Sequence, residues 1–165
     1  DIMHSLIDGS ASTLTGDVSL RDRENVTLQS FDSRPNAPVT ARFSHEDPAA
    51  AAELTEYVDG LSASGSTAMY QTLLEALRQT DPAGGIPSIV LLSDGQDTVG
   101  PRFSGFKEVY EQLPAAQRSV PVFVILYGDA SESEMRELAE LTGGEVFDAL
   151  GGDLAAAFKE IRGFQ

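Results

Sequence analysis

Hydrophobic positions along the chain follow two periods. Ile89–Leu92 and Val120–Tyr127 are nearly continuous apolar runs and read as strands buried on both faces. Shorter β-rich runs at Val26–Phe31 and Pro38–Phe43 flank the turn-forming Asp32–Ala37 segment, which predicts a hairpin. A further short strand is expected at Glu145–Phe147. Between these runs the apolar spacing turns helical. Pro48–Leu61 puts Leu54, Val58 and Leu61 on one face, with Asp47 as N-cap and Pro48 in the first helical position. Thr67–Gln79 does the same with Met69, Leu73, Ala76 and Leu77. Helices are also expected over Phe106–Leu113, Ser133–Thr142 (closed by Gly143-Gly144) and Asp153–Arg162. Alternating strands and helices with buried strands predict an α/β fold: a doubly wound, mostly parallel sheet with helices on both faces.

Composition narrows the function. The 165 residues, 41% hydrophobic, suit a single domain spanning residues 1–165. Eleven Lys and Arg against 26 Asp and Glu leave a formal net charge of −15. Such a surface disfavours nucleic acid and anionic membranes, whose phosphates need clustered basic residues. No apolar run is long enough for a membrane helix, so no membrane insertion is expected. The absence of cysteine excludes a disulfide framework, a thiolate zinc site and a cysteine nucleophile. His4 and His45 stand alone in sequence and read as surface histidines. No phosphate-binding glycine loop and no serine nucleophile elbow is present. The series Glu132, Glu134, Glu137 and Glu140 reads as a solvated helix face.

Two segments carry candidate chemistry. The apolar run Ile89–Leu92 leads directly into Ser93-Asp94-Gly95-Gln96-Asp97. Ligands of open α/β sheets bind beyond the carboxyl ends of strands, where Asp94 is expected. As a turn former, Asp94 also suits a purely structural role. The small-residue loop Gly60–Ser66 ends at Thr67, whose hydroxyl could cap the next helix or coordinate a hard cation.

Together these residues resemble the von Willebrand factor A domain. Gly65-Ser66-Thr67 with the following Leu73, Leu74, Ala76 and Leu77 is similar to that family's threonine loop and third helix. Ile89–Gly95 is similar to its fourth strand and aspartate. Val122–Gly128 and Glu134–Gly144 are similar to its fifth strand and the helix ending in a double glycine. The resemblance covers residues 24–163 and is nearest to the domain joined to solute-binding modules in bacteria. It implies a Rossmann-like sheet in the order 3-2-1-4-5-6 and a metal-ion-dependent adhesion site. There, Mg2+ or Mn2+ is held by Asp-x-Ser-x-Ser, a threonine and an aspartate, and a partner protein's carboxylate completes the coordination. Thr67 and Asp94 match the last two ligands. The implied setting is extracytoplasmic or at a bacterial cell surface.

Asp8-Gly9-Ser10-Ala11-Ser12 fits the remaining motif literally, but its surroundings do not. Ile2, Met3, Leu6 and Ile7 have helical spacing, and no amphipathic helix follows before Asn25. The run from Ile2 resembles the end of the family's first helix, which places the first strand and its motif upstream of this chain. A sheet lacking that central strand would leave backbone groups unpaired, so another segment or a second copy would fill the gap. Three readings follow: an adhesion-type binding module, an interaction scaffold without a working metal site, and a Mg2+-dependent hydrolase using Asp94, Asp97 and Asp129.

Overall fold

The computed structural model describes residues 2–8, 20–62, 65–93, 96–126, 132–148 and 158–161. Three parallel strands form its centre: β3 (Ile89–Ser93), β4 (Val122–Leu126) and β5 (Val146–Asp148), with β4 in the middle. Ile89 lies opposite Val122, and Val124 opposite Val146. All five residues of β4 are buried, because both faces of this sheet are covered. Val122, Val124 and Leu126 join one core with α3 (Met69–Gln79), α4 (Phe103–Glu111) and α6 (Glu132–Thr142). Phe123 and Ile125 join the opposite core with Phe147, Phe158 and Ile161. The arrangement is the α/β one expected, with helical residues against both faces.

A second, antiparallel sheet pairs β1 (Asn25–Leu28) with β2 (Val39–Arg42), in the hairpin expected. It packs with α1 (Ile2–Asp8) and α2 (Pro48–Asp59) around Ile7, Ala41, Phe43, Ala50 and Leu54. Where the resemblance implies one six-stranded sheet, the described strands form two sheets.

Some elements differ locally from those expected. β1 stops at Leu28, and beyond it the Ser30 N–H donates to the Tyr57 hydroxyl at 2.7 Å, while the Gln29 side-chain amide donates to the Asn36 carbonyl at 3.0 Å. Asp47 caps α2 as expected, accepting from the Ala49 N–H at 3.0 Å. α4 begins at Phe103, three residues earlier than expected, and a short α5 (Ala115–Arg118) follows it. Of the helix expected over Asp153–Arg162, residues 158–161 are helical and the rest lies outside the described residues.

α6 ends against β4 at very short range. Gly143 has φ 78°, and the Gly144 N–H reaches the Ala139 carbonyl at 2.8 Å, the pattern that closes a helix with a left-handed residue. A Cβ on Gly144 would lie 1.9 Å from the Val122 carbonyl oxygen. The buried Thr142 hydroxyl accepts the Val122 N–H at 3.3 Å and lies within bonding distance of the Leu138 carbonyl at 3.0 Å.

Candidate functional site

The segment after β3 folds back over the start of α3. β3 ends in the buried Ser93. Asp94 follows immediately but lies outside the described residues, as does Asp129. From residue 96 the chain is bound to the Thr67 loop by four hydrogen bonds. The Thr67 N–H donates to the Thr98 hydroxyl at 2.6 Å. The N–H groups of Thr98 and Val99 donate to the Thr67 carbonyl at 2.9 and 3.0 Å. The Met69 N–H donates to Asp97 Oδ1 at 2.8 Å. From the other side, the Ala68 N–H donates to the Asp32 carbonyl at 2.6 Å. The two loops singled out in the sequence are thus brought together at the carboxyl end of the parallel sheet.

This geometry corrects the helix start. Thr67 does not cap α3; the helix begins at Met69, and Asp97 supplies the carboxylate at its N-terminus. The cap comes from 28 residues downstream, where no local sequence rule can find it. The Thr67 backbone is committed to Thr98 and Val99, and its hydroxyl has no hydrogen-bond partner among the described residues. Thr67 is half-buried. Gly65, at φ 78°, provides the sharp turn that leads into it.

Asp97 borders an open cleft of about 460 Å³ lined also by Tyr70, Thr98, Arg102, Phe103 and Glu134. Burial raises the Asp97 carboxyl above its ordinary range. The Met69 and Tyr70 amides oppose that shift, and the Glu134 charge adds to it. Tyr70, 1% exposed, donates its hydroxyl to Glu134 Oε1 at 2.5 Å. Burial, followed by the carboxylate it faces, pushes the phenol far above its usual range. Tyr70 also packs against Phe103 and Phe106, with ring centroids 5.7 and 5.3 Å away.

Glu134 is therefore not part of a uniformly solvated face. It lies four residues before the buried Leu138, on the border of the apolar stripe, and half-buried. Glu132 keeps the surface role, pairing with Arg136 one turn on. The histidines are not isolated either: His4 meets Asp59 at 2.8 Å and His45 meets Asp22 at 3.0 Å. Among the described residues no group of three His, Asp or Glu side chains is placed to hold a metal. Asp8 closes α1, whose Ile7 packs into the hairpin core, and Ser10 and Ser12 lie outside the described residues.

The von Willebrand factor type A domain family matches residues 13–147. The chain belongs to that family. VWA domains are protein-interaction modules, and the loops gathered at the end of this parallel sheet are where such a fold offers a binding surface. The match begins just after Asp8–Ser12. Among solved structures, a von Willebrand factor type A protein from Catenulispora acidiphila superposes with a TM-score of 0.67 at 20% identity. That match covers 99% of this chain and 37% of the other, so the domain spans little over a third of that relative. A membrane-spanning protein from Vibrio fischeri gives a TM-score of 0.39 at 16% identity, over 100% of this chain and 86% of the other. No curated protein matches the sequence. Among the described residues no helix is long and apolar enough to cross a membrane.

Proposed function

We propose that this VWA domain binds a protein partner through a divalent cation, Mg2+ or Mn2+, held by the Thr67 hydroxyl and the Asp94 carboxylate. The observation that carries the reading is the Thr67 hydroxyl. Its loop is fastened to the segment after Asp94, yet the hydroxyl itself is spared the capping duty that Asp97 performs. A hydroxyl and a carboxylate are hard oxygen donors suited to Mg2+, which keeps several waters when few protein ligands are offered. The bound ion would supply the positive charge with which an otherwise acidic surface meets a partner's carboxylate. Binding, not catalysis, is the proposed activity, at a bacterial cell surface or outside the cytoplasm.

One observation favours a second reading, an interaction scaffold without a working metal site. Asp8, which opens the Asp-x-Ser-x-Ser match at residues 8–12, belongs to a helix packed on the hairpin core and not to the end of a strand. Thermal melting with and without Mn2+ separates the two. A working site raises the melting temperature with Mn2+ concentration, and Thr67→Ala removes the rise. A melting temperature indifferent to Mn2+ and Mg2+ in the wild type supports the scaffold.

A further inference from the structure

The cleft beside the Thr67 loop holds an electrostatic imbalance. Asp97 and Glu134 line it together, and the charge of one is felt at the other. Neither carboxylate forms an ion pair among the described residues. Arg102 lines the same cleft, yet it is exposed and bonds to neither. Asp97 is offset by the start of α3, whose amides it accepts. Among the described residues Glu134 accepts from one partner, the Tyr70 hydroxyl on Oε1, so Oε2 is left to accept a further donor. Phe103 gives the cleft an apolar wall. Partly buried carboxylates beside an aromatic wall match a long basic side chain, whose methylene stem packs while its head pairs with the acid.

We propose that this cleft receives an arginine or lysine side chain of the protein partner, with Glu134 as the pairing carboxylate and Asp97 adding negative charge beside it. The occupant's being a protein side chain rests on the interaction-module reading; the cleft itself does not depend on a bound metal. Thr98 belongs to both places, lining the cleft and fastening Thr67, so a partner seated at the Thr67 loop has its neighbouring residues over the cleft. A strongly acidic domain, at −15, also draws basic partner surfaces toward it.

The test is a titration of the 15N-labelled 165-residue chain with N-acetyl-arginine amide, in EDTA so that no metal contributes. N-acetyl-citrulline amide, of the same shape but uncharged, is the control. Arginine amide is expected to shift the backbone amides of Tyr70, Asp97, Thr98 and Phe103, with citrulline amide and the Glu134→Gln variant each about tenfold weaker. Glu134→Gln retains an oxygen for the Tyr70 hydroxyl, so it removes the charge and keeps the hydrogen bond. Absence of cleft shifts, equal binding of citrulline amide, or unchanged affinity in Glu134→Gln would overturn the proposal. Because EDTA removes any metal, the outcome is independent of the Mn2+ melting experiment, and the two readings fail separately.

Discussion

At the scale of single residues, Thr67 and Asp97 exchange the roles that local sequence rules assign. A threonine just before an amphipathic run is a natural N-cap, but the Met69 amide is taken by Asp97 from a distant loop. Asp97→Ala should therefore lower stability by about 1 kcal/mol, while Thr67→Ala should change it by less than about 0.5 kcal/mol. Asp97→Asn keeps an acceptor for the amide without burying a charge, and should match the wild type. Urea denaturation without metal measures all three; a larger loss in Thr67→Ala than in Asp97→Ala would contradict the assignment. Tyr70 gives a pH signature. Its folded pKa lies above its unfolded value of about 10, so its contribution is complete below that pH and is lost as pH rises beyond it. Tyr110 is shifted the same way by burial. The wild type should lose stability above pH ~10, and Tyr70→Phe should flatten that loss by about 1.4 kcal/mol per pH unit. Parallel stability profiles for the two proteins would show that Tyr70 is not held neutral by the fold.

At the scale of elements, apolar runs and helical spacing marked every strand of the parallel sheet and the helices over it. β4 was legible because its five residues are buried from both sides, which only a covered central strand requires. Boundaries were less legible where a distant partner decides them. The Tyr57 hydroxyl accepts the Ser30 N–H from 27 residues away, and nothing in Val26–Phe31 signals it. The double glycine was legible as a helix end but not as a contact. Gly143 supplies the left-handed residue, whereas Gly144 is required by its approach to β4. Gly144→Ala would force its Cβ into the Val122 carbonyl, so backbone must move; a loss of about 3 kcal/mol is expected from urea midpoints. A variant as stable as the wild type would mean that α6 does not close on β4 as described.

At the scale of the whole molecule, the fold class and the meeting of the Thr67 and post-β3 loops were readable from the order of motifs. The cleft was not, because it depends on which distant surfaces pack. Glu134 illustrates the difficulty: its position in the helix period is a border, and only the neighbour Tyr70 decides which side of the border it takes. The same packing fastens the Thr67 loop to the segment that follows β3 and leaves the Thr67 hydroxyl without a hydrogen-bond partner among the described residues, on which the functional reading of this VWA domain rests. Calorimetric titration of Mn2+ into the wild type and Asp94→Ala tests that reading most directly. The account predicts saturable binding to the wild type, its loss in Asp94→Ala, and closely similar metal-free melting temperatures, since a carboxylate beyond the end of a strand serves binding and not the core. Equal Mn2+ affinity in the two proteins, or no binding to the wild type, would contradict it.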